Sequence, residues 1–337
     1  MAVDGFPAKS FREASFSDFS PKLLLISALL VATVTHVLYH ISQKYLEYRA
    51  NAALAKSKGC QLPPELPKRW PLGIDRIKEL WDSNSEGRLL AFLCSVAKDY
   101  EPRNNLYQFL LFGPRAFHIL HPSNVQALLS TNFKDYGFGV RREIFAPLLG
   151  DGIFTQEGAA WKHSRELLRK QFARTQSQNL HHFSEHVDNL FQRLPEDGVV
   201  DLQPLFFSLT LDTTTALLFG SSSYSLRANI DQDTENRIFA ESFNIAQEGL
   251  AKRFRLAPWH CLYNPREFRQ ACSNVHRFVD RYIAKLRKEG TPFSDETHGF
   301  INQVANESES DESLRDQLLN VLLAGRDTTA CCLSWTL

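Results

Sequence analysis

An acid and a hydroxyl stand side by side inside an apolar helical segment near the end of the sequence. Leucine and valine recur at helical spacing through residues 314–333, and Asp327 and Thr328 interrupt them with groups that can exchange protons. A helical threonine hydroxyl can bond the carbonyl four residues earlier, so Thr328 is predicted to bond Ala324 and bend the helix. Gly325 costs about 1 kcal/mol relative to alanine, and it is expected to leave room beside that bend. Packing of a buried helix is the simpler interpretation.

A tryptophan and an arginine one helical turn apart form a second candidate group. Residues 157–173 are predicted to be helical, which puts Trp161 and Arg165 on the same face. Their indole N–H and guanidinium both donate hydrogen bonds, so together they suit an anionic group. A core tryptophan beside a surface arginine gives the same common spacing, so the pair by itself favours packing over binding.

A third pattern, His-Phe-Ser-Glu-His at residues 182–186, matches the H-x-x-E-H order of one group of zinc proteases. The apolar stripe of this predicted helix points Glu185 away from the core and puts His182 and His186 at the edges of the polar side. A catalytic zinc site needs a third protein ligand and a dry cavity, so a solvated helix face is favoured. A membrane-anchored zinc hydrolase that uses these three residues stays open as an alternative.

The composition is that of a globular protein. The 337 residues are 43% hydrophobic and 12% aromatic, and 38 basic side chains balance 38 acidic ones. No segment is basic and aromatic enough to suggest nucleic-acid binding, and no nucleic-acid partner is expected. The six cysteines form no C-x-x-C pair, which favours free thiols in a reducing compartment.

The N-terminal region predicts a membrane anchor. Residues 1–22 form a polar tail, and residues 23–41 are apolar without any Asp, Glu, Lys or Arg, about the length that a bilayer core requires. Slightly more lysine and arginine follows this segment than precedes it, which places its C-terminal side in the cytoplasm. Residues 42–73 are then interpreted as a basic and proline-rich linker to residues 74–337.

The rest of the chain predicts a mainly α fold with a small β-sheet. Apolar and aromatic runs at residues 106–112 and 117–120, separated by Gly-Pro-Arg, indicate a β-hairpin. Helices are predicted at residues 77–100, 122–130, 157–173, 178–194, 204–219, 235–252, 265–288 and 313–337.

Two of these segments together resemble one enzyme family. The Ala-Gly-Arg-Asp-Thr-Thr run at residues 324–329 is similar to the oxygen-binding helix of cytochrome P450 haem-thiolate monooxygenases, and residues 150–173 resemble the family's haem-facing helix. Lys170 departs from the pattern, since proline is usual there. Further segments resemble the fungal membrane-bound alkane and fatty-acid terminal hydroxylases: residues 71–73, 206–212, 218–220, 264–269 and 314–320. The resemblance covers nearly all of the chain after residue 60.

This resemblance implies the N-terminal part of the cytochrome P450 fold, preceded by a transmembrane helix. It implies haem b as the cofactor and NADPH as the electron source, through a partner reductase in the membrane. The implied substrate is a hydrophobic small molecule, an alkane or fatty acid, oxidised at its terminal carbon. The implied location is the endoplasmic reticulum membrane, with a single span in the lipid and a cytoplasmic catalytic domain.

The resemblance also assigns roles to the candidate residues. Trp161 and Arg165 would bind the haem propionates. Asp327 would take part in proton delivery and Thr328 would hydrogen-bond oxygen and water, while residues 324–325 would leave space over the iron.

One part of the family pattern is absent from the sequence. The family's axial thiolate lies in a Phe-x-x-Gly-x-Arg-x-Cys-x-Gly segment, and none of the six cysteines has those neighbours. The Glu-x-x-Arg helix expected after residues 313–337 is missing too, and the sequence ends in mid-helix. The sequence therefore predicts an N-terminal part of the catalytic domain that is inactive by itself. A non-catalytic membrane-anchored protein is the other alternative.

Overall fold

The computed structural model divides the chain into two compact units. Residues 21–99, 105–109, 115–175, 180–227, 234–288, 299–308 and 310–337 are described. The N-terminal unit comprises Met1–Leu110 and Arg115–Leu120, and the helical unit comprises Leu111–Pro114 and His121–Leu337.

The N-terminal unit begins with one long helix, α1, at Pro21–Ser57. Its Leu25–Ser57 portion is long and apolar enough to cross a membrane, and none of it is buried inside the protein. The predicted anchor at residues 23–41 lies within this helix. The helix continues to Ser57 because residues 42–57 contain neither glycine nor proline, so the first half of the expected linker is helical.

Two further α-helices and a hairpin follow in the described part of this unit. The helix predicted at residues 77–100 is divided into α2 (Ile74–Ser85) and α3 (Leu89–Asp99). The break occurs at Gly87, whose φ of 70° favours glycine. The predicted hairpin is confirmed as antiparallel strands β1 (Asn105–Phe109) and β2 (Arg115–Ile119).

The helical unit contains nine further α-helices in its described part. The helices predicted there are all present, whereas α5 and α11 were missed because both are short and α5 contains a proline. The bounds are α4 Pro122–Gln126, α5 Arg141–Leu149, α6 Gly158–Thr175, α7 Leu180–Phe191, α8 Leu202–Phe219, α9 Thr234–Arg255, α10 Arg266–Lys288, α11 Gly299–Glu307 and α12 Asp311–Thr336.

Helix α12 lies at the centre of this unit. Leu314, Leu318 and Leu322 are fully buried in a core that also includes residues of α5, α6, α8, α9, α10 and α11. Polar residues on the same helix are buried as well, among them Asp316 and Asn320. Residues 314–322 of α12 are buried on nearly all sides, and hydrogen bonds from α12 to α6 and α9 help to fix where those helices present their side chains.

Candidate cofactor site

A pocket of about 480 Å³ lies between α6 and α12. Arg165 and Arg169 of α6 supply positive charge to it, and Ala324 of α12 forms part of the opposite wall. The other residues that line it are mainly apolar: Ile153, Phe154, Leu168, Phe172, Ala173, Asn320 and Val321. Apolar walls with two guanidinium groups suit an apolar ligand that carries anionic substituents. Arg169 was missed in the sequence, although its position one turn after Arg165 places it on the same face.

Trp161 and Arg165 share a face of α6, as their spacing predicts. The guanidinium carbon of Arg165 lies 5.5 Å from the centre of the Trp161 indole, within the range of a cation–π contact. The indole in turn packs against Phe133, with ring centres 5.3 Å apart. Arg165 lines the pocket and Trp161 does not, so the tryptophan supports the arginine from the side.

The Thr328 hydroxyl donates a hydrogen bond of 2.7 Å to the Ala324 carbonyl, which confirms the predicted bond. The space beside Gly325 is occupied by a neighbouring helix, which was not expected. A Cβ there would lie 2.8 Å from the Thr214 hydroxyl of α8, so the missing side chain lets α8 approach α12. The expectation that Gly325 opens a notch in the helix is corrected in this respect, and Ala324 is the residue that reaches the pocket.

Asp327 points toward α9 and is held there by two hydrogen bonds. Gln247 donates to one carboxylate oxygen at 2.5 Å, and Arg326 donates to the other at 2.9 Å. Burial raises the pKa of Asp327, and the nearby Arg326 charge opposes this rise. A carboxyl group with a raised pKa holds a proton closer to neutral pH, which suits proton delivery.

Arg326 was not identified from the sequence as a site residue. Its side chain is buried, donates to Gln247 and Asn244 of α9, and lies over the Phe207 ring at 4.7 Å. Burial lowers the pKa of Arg326, while Asp327 raises it. The sequence did contain a signal for this residue: Arg326 is a charged residue inside an apolar helical run. Such a residue indicates a paired site, because a buried charge needs a partner.

The zinc alternative finds no support. Glu185 forms an ion pair with Arg227, and His186 is buried with its ring 6.1 Å from that of Tyr224. The expectation that His186 lies at the polar side was therefore wrong, because Tyr224 covers it. The side chain of His182 lies outside the described residues, and no group of three potential metal ligands occurs among the described ones.

These features define a helical domain that presents an acid, a hydroxyl and a basic, apolar-walled pocket around one central helix. The sequence model of the cytochrome P450 family matches residues 67–337. The chain belongs to the cytochrome P450 family, which confirms the predicted fold class.

Comparisons with individual proteins agree with this assignment. A cytochrome P450 of Arthroderma benhamiae is 41% identical over 94% of this chain and 60% of its own length. Cytochrome P450 52A13 of Debaryomyces hansenii is 36% identical over 93% of this chain and 60% of its own length. The crystal structure of the cytochrome P450DA heme domain has a TM-score of 0.63 and 21% identity, covering 81% of this chain and 59% of that one. The chain thus spans about 60% of the length of these curated relatives.

The pocket fits haem, the cofactor that the family implies, on the sides that this chain supplies. Its apolar walls suit the porphyrin faces, and Arg165 with Arg169 suits the propionates. All six cysteines are free, and none lines the pocket. Cys272 is buried in the core, where burial raises its thiol pKa to about 12, so it is a poor source of a thiolate.

Gly325→Ala tests whether the glycine serves helix packing. The added methyl group should press on Thr214 and lower the free energy of unfolding by about 1–3 kcal/mol. Thr214→Ala removes the two closest opposing atoms, so most of this loss should disappear in the double variant, as measured by urea unfolding. An equal loss in both backgrounds would show that the close approach of α8 is not the reason for the glycine.

Proposed function

We propose that this chain forms the part of a haem-dependent monooxygenase that binds the haem propionates and handles protons on the oxygen side. The observation that carries the proposal is one pocket lined by Arg165 of α6 and Ala324 of α12. The reaction is hydroxylation of an alkane or fatty acid at its terminal carbon. The sequence resemblance to fungal terminal hydroxylases supports this substrate class, and curated relatives named cytochrome P450 52A are consistent with that resemblance.

Haem, when bound, supplies the oxidising chemistry, with electrons from NADPH through a separate reductase. Arg165 and Arg169 would neutralise the propionates by charge-assisted hydrogen bonds, which are stronger than neutral ones. Trp161 holds the Arg165 guanidinium by its cation–π contact, so less side-chain freedom is lost when the arginine binds.

The oxygen side of the site is supplied by α12. The Thr328 hydrogen is committed to the Ala324 carbonyl, so the hydroxyl oxygen is left to accept a hydrogen bond from water or substrate. Asp327 would pass a proton from its carboxyl group to that water. Its two bonds to Gln247 and Arg326 restrict the rotation of the carboxyl group.

The membrane is part of the proposal. Helix α1 would anchor the protein in the endoplasmic reticulum membrane by a single span, with the catalytic domain in the cytoplasm. Alkanes and fatty acids concentrate in lipid, so an anchored enzyme meets its substrate there.

Thr328→Ala should separate oxygen consumption from product formation. The assay needs a haem-thiolate protein, for which residues 1–337 can be joined to the C-terminal region of the Arthroderma benhamiae relative. Loss of the hydroxyl should leave haem content unchanged, while NADPH is consumed and peroxide is released instead of product. Thr328→Ser keeps the hydroxyl and should remain coupled, and Thr329→Ala is the neighbouring control. A fully coupled Thr328→Ala enzyme would remove the role assigned to the hydroxyl.

Arg165→Ala in the same joined protein should weaken haem retention. A charge-assisted bond contributes roughly 1.5–3 kcal/mol, which corresponds to about ten- to a hundredfold in affinity. Lys162→Ala removes a cation from the same helix that does not line the pocket, and it should retain haem like the parent. Haem transfer to apomyoglobin measures the loss rate, and equal rates for Arg165→Ala and the parent would contradict propionate binding.

Asn306 reports the side of the membrane on which the domain lies. Asn306-Glu307-Ser308 is an N-glycosylation pattern, and Asn306 is exposed. We expect no glycan there in fungal membranes, as judged by endoglycosidase digestion, because a cytoplasmic domain does not meet the transferase. A glycosylation pattern inserted before α1 is the luminal control and should be modified. A glycan on Asn306 would reverse the proposed topology.

A further inference from the structure

Two polar side chains of α12 hold the loop that connects α5 to α6. Asn320 is fully buried, and its amide oxygen accepts from the Phe154 N–H at 3.0 Å while its amide nitrogen donates to the Leu149 carbonyl at 2.9 Å. One turn earlier, a carboxylate oxygen of Asp316 accepts from the Asp151 N–H at 2.8 Å. The last residue of α5 and two residues of the loop are thus bonded to a single face of α12.

Two glycines allow the loop to lie directly on these side chains. A Cβ at Gly152 would collide with the Asn320 amide, and a Cβ at Gly150 would collide with the Asp316 carboxylate. Gly150 also has a φ of 55°, which disfavours other residues, whereas the restriction at Gly152 arises from contact with Asn320. The loop and the side chains therefore fit each other closely.

The same face of α12 bonds to α6 itself. Gln317 donates to the Ser164 hydroxyl at 2.6 Å, and that hydroxyl donates to Gln156 at 2.6 Å. Ser164 directly precedes Arg165, and Phe154 and Asn320 both line the pocket. A change in the loop would consequently be transmitted to the wall of the pocket that carries its positive charge.

We propose that Asn320 is a positioning residue of the haem pocket, which fixes the α5–α6 loop with the help of Asp316 and so sets how far α6 and its arginines stand from α12. The proposal rests on the proposed function, since it takes haem as the ligand. Asn320 has no N–H group left to donate to a propionate, because its amide nitrogen also donates to the Asp316 carbonyl at 2.8 Å and so both of its N–H groups are used. Its role is to hold protein groups rather than haem.

The first test compares Asn320→Ala with the parent in the 337-residue chain in detergent micelles. Hydrogen exchange should become faster at residues 149–156 and in the first turns of α6, and hemin should bind roughly tenfold more weakly in an absorbance titration. Asp316→Asn keeps an oxygen that can accept from Asp151, so it should stay close to the parent in both measurements.

The matched control is Asp212→Ala, which removes a buried carboxylate far along the chain from the pocket loop. Asp212 accepts hydrogen bonds from Ser223, Ser225 and Leu226 and holds the loop after α8. This variant should lose stability and exchange faster near residues 222–226, yet bind hemin like the parent. If Asp212→Ala and Asn320→Ala weaken hemin binding equally, the effect is general destabilisation and the proposal fails.

A second pair of variants tests the contact directly. Gly152→Ala should weaken hemin binding in the parent, whereas it should have a clearly smaller effect in the Asn320→Ala background, where the colliding amide is gone. Equal effects in both backgrounds would overturn the proposal. If the parent chain binds no hemin, the proposed haem site fails, but the exchange rates at residues 149–156 still decide whether Asn320 fixes the loop. Unchanged exchange in Asn320→Ala would refute that.

Discussion

Helix α12 is buried along most of residues 314–326, so the polar side chains on that stretch bond mainly to protein instead of water. An unpaired buried polar group costs roughly 1–3 kcal/mol, more if it is charged. Asn320 satisfies this demand by bonding the α5–α6 loop, and Arg326 satisfies it by bonding α9. The polar residues of one helix thereby determine where two other parts of the unit can lie. The apolar residues between them contribute packing energy, but they do not determine which part of the protein packs against each face of the helix.

The order of residues along α12 explains why the acid and the hydroxyl lie on different faces of the helix. Successive residues of an α-helix are rotated by about 100°, so Asp327 and Thr328 cannot face the same neighbour. Asp327 faces α9, while the Thr328 side chain is exposed and bonds back to Ala324. An acid and a hydroxyl that are adjacent in sequence therefore lie on two different faces of α12. A proton that passes between them needs a bridging water or a rotation of the carboxyl group.

The sequence predicted the interactions that are local and missed those that depend on a distant partner. The bond from Thr328 to Ala324 follows from a spacing of four residues, and it was predicted correctly. The use of Gly325 depends on Thr214 in another helix, and no local pattern reveals which helix will approach. His186 was misplaced for the same reason, because Tyr224 comes from a loop beyond the next helix. The mainly α fold was predictable because helical periodicity is itself local.

The acid on α12 depends on both of its partners for its ionisation. Burial raises the pKa of Asp327, while the charge of Arg326 and the hydrogen bond from Gln247 lower it. Arg326 is the preceding residue on the same helix and cannot move away, whereas Gln247 belongs to α9. A displacement of α9 that broke the bond from Gln247 would remove one of the influences that favour the carboxylate, and the pKa would rise further. The readiness of Asp327 to release a proton is thus coupled to the position of α9, although none of the described side chains of α9 lines the pocket.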